Sequence, residues 1–333
     1  MTDPFRRKRA IETRTARESE YLPHTPLGTG AEFDAIRRIL ERWGPRAQRI
    51  GDDAAVITSL GDRALVASTD TFIENVHFRV DWLSAQEVGY RATAAALSDL
   101  AAMGARPLGI LAALAIPESW RGRLDQITDG IGDAAAYANA SIIGGDMSRS
   151  GELAITITVL GAARDALFRT SARPGDRVYV TGRFGGPGAA LRDLLAGREP
   201  LALHRDRFVH PLPRIAESIW LAEHGVTAAI DVSDGLGADL SHLASASRVS
   251  LTVHLDKIPR VEGVTAVEAA SSGEEYELIV TGSSRIDVRE FATKFGVELT
   301  DIGKVEHGGP AVHFFDGDEE VAAPSGYSHF SRS

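Results

Sequence analysis

Apolar positions along the chain follow a helical period in some segments and a strand period in others. Within residues 33–40, apolar side chains recur every three or four positions, which predicts a helix that ends at Gly44-Pro45. Over Leu153–Leu160, apolar residues alternate with threonine, as expected for a half-buried strand. Both element types are therefore expected in one chain.

Helix and strand signals interleave through both halves of the chain. Ser84 followed by Glu87 forms a capping box that begins a long alanine-rich helix, and Gly104 ends it. Helices are predicted over residues 85–103, 119–138, 189–196, 213–223 and 286–295, and from about residue 237. Strands are predicted over residues 64–69, 76–79, 108–116, 141–144, 153–160, 178–181, 227–231 and 277–281, with further strands closing the chain. This order predicts an α/β (α+β) fold.

Composition divides the chain into a tail and two domains. Residues 1–27 are polar and interrupted by proline, which predicts a disordered tail. Residues 162–174 have the composition of an interdomain connection, and a turn at Pro174-Gly175-Asp176 follows it. We therefore expect an N-terminal domain over residues 28–163 and a C-terminal domain over residues 164–333.

Residue counts exclude several classes of protein. The chain has 333 residues and no cysteine, which excludes disulfides, Cys-ligated zinc and a thiolate nucleophile and favours a reducing cytoplasm. The formal net charge is −10 with few lysines, which argues against nucleic-acid binding. The longest apolar run, Leu108–Ile116, is far shorter than the roughly 20 residues of a membrane span. We therefore expect neither a nucleic-acid nor a membrane partner.

Carboxylates follow several predicted strands and stand among glycine and other small residues. Ligands of open α/β sheets collect at the carboxyl ends of strands, and glycine lets the backbone approach a phosphate group closely. Each of these residues taken alone is interpreted more simply as a turn residue that bonds to nearby N–H groups. The repetition favours a ligand site, and the residues concerned are Asp52, Asp53, Asp70, Asp146, Asp231, Ser233 and Asp234.

Asp99 lies on the apolar face of the predicted helix 85–103, together with Val88, Ala92 and Ala95. A charged group on such a face needs a partner. The partner is either a neighbouring helix or loop, or a hard cation such as Mg²⁺, which prefers oxygen ligands and commonly joins carboxylates to substrate phosphates. Many acids and no cysteine favour a magnesium–phosphate site over a zinc or redox site.

Three common phosphate-binding or kinase motifs do not match. The sequence has no G-x-x-x-x-G-K-[ST] segment. His204-Arg205-Asp206 imitates the catalytic triplet of protein kinases, but Pro211 stands where the asparagine is required. Gly182–Gly188 lacks the complete dinucleotide fingerprint and is predicted to be a turn.

Five segments in order resemble the thiamine-monophosphate kinases, which belong to the aminoimidazole ribonucleotide synthetase-like superfamily. The resemblance extends from Gly30–Phe33 to Gly326–Phe330. The matching segments are Ile50–Ala55, Ser68–Thr71 with His77-Phe78, Leu97–Ala105, Gly144–Asp146 and Asp231–Leu236. The resemblance implies an N-terminal α/β domain whose mixed sheet pairs in a homodimer, and a C-terminal α/β domain that covers the cleft. It also implies transfer of the γ-phosphoryl group of ATP to thiamine monophosphate, with several Mg²⁺ ions.

The same resemblance implies roles for individual residues. The Mg²⁺ ligands would be Asp53, Ser68, Thr69, Asp70, Asp99, Asp146, Asp231 and Asp234. ATP would contact Gly145, Asp146, Arg169 and Ser233, and thiamine monophosphate would face His77, Glu274 and Tyr327. No general base is expected, because the attacking phosphate oxygen is already anionic and the metal ions held through Asp53, Asp70, Asp99 and Asp146 would assist the transfer. Alternatively, Arg169 is a surface residue, His77 is structural, and Tyr327 only packs a terminal segment.

The sequence departs from the family pattern beside the expected thiamine site. Ser272 and Glu275 stand where the family has glycine and aspartate, which puts substrate affinity in doubt but removes no expected metal ligand. Two alternative functions stay open: an aminoimidazole ribonucleotide synthetase-like enzyme, and a nucleotide-binding dimer without turnover. Bound ATP without product would indicate the second.

Overall fold

The structure is a computed structural model that describes residues 24–44 and 50–327. Most of the predicted tail, residues 1–23, lies outside the described residues, as do the last residues of the Gly326–Phe330 motif. The strands are β1 (Ala55–Leu60), β2 (Arg63–Ile73), β3 (Arg106–Ile116), β4 (Ser141–Arg149), β5 (Ala154–Ala163), β6 (Arg177–Thr181), β7 (Val226–Asp231), β8 (Ser250–His254), β9 (Leu278–Gly282), β10 (Leu299–Glu306), β11 (Ala311–Asp316) and β12 (Glu319–Val321). The α-helices are α1 (Ala31–Trp43), α2 (Ala85–Ala102), α3 (Leu124–Tyr137), α4 (Gly186–Leu195), α5 (Ala202–Val209), α6 (Ile215–Glu223), α7 (Leu236–Ser247), α8 (Ala266–Ala270) and α9 (Val288–Phe295).

The N-terminal half forms a five-stranded mixed sheet in the order β1-β2-β5-β3-β4. Only the pair of β3 and edge strand β4 is parallel. Ile155, Ile157 and Val159 of β5 are fully buried, while the threonines between them are half-buried and bond to the exposed Thr69 and Thr71 on the other face. The alternation of β5 is therefore confirmed as that of a sheet covered mainly on one face.

The C-terminal half forms a seven-stranded sheet in the order β12-β11-β8-β10-β6-β9-β7, in which only β8 and β11 pair in parallel. Strands β6 and β9 of this sheet are buried on both faces. One face packs against α7 in a core of its own. The other face packs against α6 and α9, and this core continues into the N-terminal half.

Helix α2 lies between the two halves and contacts elements of both sheets. Its predicted capping box is confirmed: Ser84 Oγ accepts from the Glu87 N–H at 3.3 Å, and a Glu87 carboxylate oxygen accepts from the Ser84 N–H at 2.8 Å. Nearly every residue of α2 is buried, because alanines let neighbouring elements approach on all sides. The last turn of α2 is thereby placed between the two sheets.

Several local predictions were wrong. Residues 76–79 form a turn rather than a strand, because the N–H groups of Val76 and His77 both bond to the carbonyl of Ile73. Strand β4 continues to Arg149, so Asp146 lies within a strand instead of after one. The glycine-rich segment 182–188 contains the start of α4. Helices α5 and α8 and strands β1 and β8 were not predicted.

The interleaved helices and mixed sheets confirm the α/β prediction. The boundary between residues 163 and 164 stays a prediction. In the part of the chain that the structure describes, no helix combines the length and the apolar character needed to cross a membrane.

Candidate active site

Three carboxylates that are distant in sequence meet between the two sheets, and we call Asp53, Asp99 and Asp231 the acidic cluster. Asp53 lies before β1, Asp99 in the last turn of α2, and Asp231 at the end of β7. One carboxylate oxygen of each lies within 4.8 Å of those of the other two. The fold therefore brings these three acids together, and their role as metal ligands stays a prediction.

Two serine hydroxyls hold the acidic cluster in place. Ser68 Oγ on β2 donates a hydrogen bond to Asp99 Oδ2 at 2.5 Å, and Ser98 Oγ on α2 donates one to Asp231 Oδ2 at 2.6 Å. Consecutive residues of α2 thus bond to opposite sheets. The end of α2 fixes the distance between the two domains at the site.

Arg169 supplies a positive charge at the cluster. Its Nε and Nη2 donate to the two Asp53 oxygens at 2.7 and 2.6 Å, and its backbone N–H donates to Asp52 at 2.7 Å. The Asp53 side chain is 1% exposed and that of Arg169 is 18% exposed. The interpretation of Arg169 as a surface residue was therefore wrong.

With all three carboxylates ionised, the cluster would carry more negative charge than Arg169 balances. Burial raises the pKa of Asp99 well above its ordinary value, and the charges of Asp70, Asp231 and Asp53 raise it further. Burial also raises the pKa of Asp231, with Asp53 adding to the effect. Clustered oxygen donors with surplus negative charge fit a hard divalent cation such as Mg²⁺.

A cavity of about 1030 Å³ opens beside the acidic cluster. Its polar wall contains eight of the residues singled out in the sequence: Asp70, His77, Asp99, Asp231, Ser233, Asp234, Glu274 and Tyr327. Its apolar wall is formed by Phe72, Phe78 and Trp82 on one side and by residues of α4 on the other. The cavity therefore combines carboxylates, which can hold phosphates through a divalent cation, with an apolar surface that suits an organic ring.

Glu274 is held in a strained turn between the two domains. Its φ is 56°, a left-handed conformation, and its N–H donates to the Ser233 carbonyl at 2.7 Å. Its carboxylate pairs with Arg91 of α2, whose fully buried guanidinium lies 3.6 Å from the ring centroid of Phe208. Two other guanidinium nitrogens of Arg91, Nε and Nη1, have no hydrogen-bond partner among the described residues. The fold fixes Glu274 at the cavity rather than leaving it on a free loop.

His77 and Tyr327 line the same cavity from two other segments. The Nδ1 atom of His77 accepts a hydrogen bond from the Ile73 N–H at 3.1 Å, so this histidine has a structural role as well as a place in the cavity wall. The backbone N–H of Tyr327 bonds to the Asp234 carbonyl at 2.9 Å. Tyr327 is 56% exposed and lines the cavity, and its contact with thiamine monophosphate stays a prediction.

The structure does not bring every expected site residue to this cavity. Gly145 and Asp146 lie on the exposed edge strand β4, where Asp146 pairs with Ala113. Thr69 is exposed and bonds to Thr158 on the outer face of the sheet at 3.0 Å. Their roles toward metal and ATP stay predictions.

Comparison with known proteins agrees with this geometry. Residues 51–163 match the family model "AIR synthase related protein, N-terminal domain", and residues 173–315 match "AIR synthase related protein, C-terminal domain". The thiamine-monophosphate kinase of Bacillus subtilis (strain 168) is 32% identical over 323 residues, which cover 90% of this chain and 99% of the relative. That of Escherichia coli (strain K12) is 34% identical over 327 residues, which cover 90% and 98%. The chain belongs to the thiamine-monophosphate kinase family.

Solved structures of the thiamine-monophosphate kinase family have the same fold. The structure described as "AaThiL complexed with AMPPCP and TMP" has a TM-score of 0.79 and 29% sequence identity, and the match covers 90% of this chain and 97% of that one. The enzyme from Stenotrophomonas maltophilia K279a has a TM-score of 0.71 and 34% identity, with 85% and 96% covered. A hydrogenase maturation protein with 18% identity and a TM-score of 0.68 shares the fold alone.

Sequence reasoning missed Asp239 and Arg91, two residues that shape this thiamine-monophosphate kinase site. Asp239 in the first turn of α7 accepts from the N–H groups of residues 233, 234 and 235 at 3.1–3.2 Å and so fixes the turn after β7. Burial raises the pKa of Asp239 well above its usual range. Arg91 is the other omission, although an arginine within the alanine-rich stretch of α2 was a usable signal.

Proposed function

We propose that this chain phosphorylates thiamine monophosphate to thiamine diphosphate with the γ-phosphoryl group of ATP. The observation that carries the proposal is the position of the acidic cluster at one end of a cavity that also contains His77 and Glu274. Membership of the family supports both substrates, since its relatives carry this enzyme name over nearly their whole length.

The main obstacle to this reaction is repulsion between two phosphorylated molecules. The attacking oxygen belongs to a phosphate group and is anionic at neutral pH, so the chain needs to position the reactants rather than to remove a proton. Arg169 places a fixed positive charge at the cluster, and the strained turn at Glu274 presents a fixed carboxylate to the cavity. We therefore infer direct in-line transfer without a general base.

We assign the metal site to the acidic cluster together with Asp70 and Asp234, which line the cavity beside it. When bound there, Mg²⁺ would neutralise phosphate charge and hold the phosphoryl groups in line. From the family resemblance we extend this set of ligands to Ser68, Thr69 and Asp146. Of these, Ser68 already contacts Asp99 through its hydroxyl.

We assign ATP to the side of the cluster formed by Arg169 and Ser233, with Gly145 and Asp146 of β4 as further contacts. Edge strand β4 exposes Ile142, Ile143 and Met147, and its outer backbone groups are available for pairing. This exposed edge supports the homodimer that the resemblance implies, with sheets pairing across it. Because the co-substrate is ATP, we place the reaction in the cytoplasm.

The test is product formation by the purified chain with ATP, Mg²⁺ and thiamine monophosphate. We expect thiamine diphosphate from the wild type and at least about a 100-fold lower kcat for Asp99→Asn, because the substitution removes a charge that faces the phosphates. Asp125→Asn is the matched control, since Asp125 is an exposed aspartate in the first turn of α3. Its activity should equal that of the wild type.

Two outcomes would contradict the proposal. Turnover of a phosphorylated aminoimidazole precursor, with none of thiamine monophosphate, would favour the synthetase-like function. ATP binding that depends on Mg²⁺, without product from either substrate, would favour a nucleotide-binding dimer. Equal activity of Asp99→Asn and Asp125→Asn would refute the metal site while leaving the substrate assignment in place.

A further inference from the structure

Helix α4 begins without any polar side chain that could cap its own N-terminus. Its N-cap is Gly185, followed by Gly186, Pro187 and Gly188, and no cap hydrogen bond comes from a side chain of this segment. The first N–H groups of a helix have no partner within the helix. Residues 185–187 are buried, so solvent does not supply those partners freely. The acceptors must come from another part of the chain.

Ser272 and Glu275 supply the acceptors. Ser272 Oγ accepts a hydrogen bond from the Gly188 N–H at 2.9 Å, and a carboxylate oxygen of Glu275 accepts one from the Gly185 N–H. Both residues are only 3% exposed. A carboxylate at a helix N-terminus is also favoured by the helix dipole. We call Ser272 and Glu275 the α4 clamp.

The α4 clamp is anchored to the domain core by Arg207. The Nη2 atom of Arg207 lies 3.2 Å from a Glu275 oxygen and 3.2 Å from a Glu277 oxygen. Burial raises the pKa of Glu275 to about 7, against the lowering effects of Arg207, Ser272 and the Gly185 N–H. Ser272 and Glu275 therefore interact with each other as well as with α4, and they form one unit.

Glycines allow the close approach that the clamp requires. A Cβ atom on Gly188 would lie 2.8 Å from Ser272 Oγ, and one on Gly185 would lie 2.5 Å from a Val264 methyl carbon. Gly185 also has a φ of 97°. This packing explains why glycine is required at positions 185 and 188.

The clamp connects two walls of the cavity. Pro187, Leu191 and Leu195 of α4 line its apolar side. Glu274 and Tyr276, the chain neighbours of Glu275, line its polar side, and Ser272 also lines the cavity. A displacement of the first turn of α4 would therefore change the width of the cavity where the two walls meet.

We propose that Ser272 and Glu275 are positioning residues that fix the α4 wall against Glu274, and so set the affinity for the organic part of thiamine monophosphate. This inference rests on the proposed function for the identity of the substrate. The two departures from the family pattern then maintain the cavity instead of weakening it. Neither residue contacts the reacting atoms.

The first test compares the kinetics of Ser272→Ala, Glu275→Gln and Glu275→Ala. Loss of one buried hydrogen bond costs a free energy that corresponds to about a tenfold change in an equilibrium constant. We therefore expect the KM for thiamine monophosphate to rise about tenfold in Ser272→Ala and Glu275→Ala. Glu275→Gln keeps an acceptor oxygen, so its KM for thiamine monophosphate should rise less. The KM for ATP and kcat should change less than about twofold, a split that general destabilisation would not produce.

Glu268→Gln is the matched control. Glu268 also pairs with α4, through Arg192, but its side chain is 41% exposed and it does not reach the first turn of the helix. Its kinetic constants should equal those of the wild type. A KM for thiamine monophosphate that is the same in the clamp variants and in Glu268→Gln would overturn the proposal, as would equal rises in both KM values.

A second measurement keeps the clamp testable independently of catalysis. Amide hydrogen exchange of Gly185 and Gly188 should be about tenfold faster in Ser272→Ala and Glu275→Ala than in wild type or Glu268→Gln. Unchanged exchange in these variants would overturn the clamp. Absence of product from the wild type would instead refute the proposed function, and the exchange rates would still decide whether Ser272 and Glu275 fix α4.

Discussion

Removal of the Arg169 guanidinium is expected to destabilise the fold strongly, because its bidentate pair with Asp53 is buried. An exposed arginine that pairs with a carboxylate in the same bidentate way should matter less. Arg169→Met leaves Asp53 buried without its bidentate partner, at a site where Asp99 and Asp231 already repel it. Breaking a buried pair in this way costs about 3–5 kcal/mol. With an unfolding entropy of about 2.1 cal/mol/K per residue, this loss lowers Tm by roughly 4–7 °C.

The chain contains a close geometric control for this experiment. Arg177 donates to both oxygens of Asp301 at 2.7 and 2.7 Å, but the two side chains are 31% and 37% exposed. Exposed pairs contribute about 0–1 kcal/mol, so Arg177→Met should lower Tm by at most about 1–2 °C.

Thermal unfolding followed by circular dichroism, with a chelator present in all samples, measures both variants. Equal decreases in Tm for Arg169→Met and Arg177→Met would refute the argument that burial makes the Arg169–Asp53 pair important for stability. A smaller loss for Arg169→Met than for Arg177→Met would show that the acidic cluster is more solvated than its burial indicates.

Three further predictions concern stability. A Cβ atom on Gly130 would lie 1.9 Å from the Gln86 carbonyl oxygen, so Gly130→Ala should lower the free energy of unfolding by about 1–3 kcal/mol, measured with denaturant. A Cβ atom on Gly132 would have nothing within 4 Å, so Gly132→Ala should be neutral or raise this free energy by up to about 1 kcal/mol. Ser84→Ala removes the cap of α2 and should cost about 1 kcal/mol by the same measurement, and no change would contradict the role of the capping box. Because burial raises the pKa of Glu275 from 4.5 to about 7, its ionisation disfavours the folded state. The contribution of Glu275 to stability should then fall by about 3 kcal/mol as pH rises from about 4.5 to 7. Glu275→Gln should therefore lose less stability than the wild type over this pH range, and an equal slope in both would contradict the shift.

The sequence predicted most of the elements whose formation depends mainly on interactions between residues close together in the chain. The capping box of α2, the alternation of β5 and the alanine-rich character of α2 all depend on neighbours within a few residues, and each is present in the structure. The turn at residues 76–79 was predicted as a strand because its apolar residues resemble one. Hydrogen bonds to the Ile73 carbonyl, which the pattern does not reveal, make this segment a turn.

The order of carboxylates beside glycines along the chain is enough to predict the fold class, the family and the residue types of the site. Which of these carboxylates meet depends on the packing of whole elements. Asp53, Asp99 and Asp231 are far apart in sequence and approach because α2 packs between two sheets. The roles of Arg91, Ser272 and Glu275 were also decided at this level, since the guanidinium of Arg91 and the caps of α4 have partners more than eighty residues away. Such contacts depend on how whole elements pack, and no pattern of neighbouring residues encodes them.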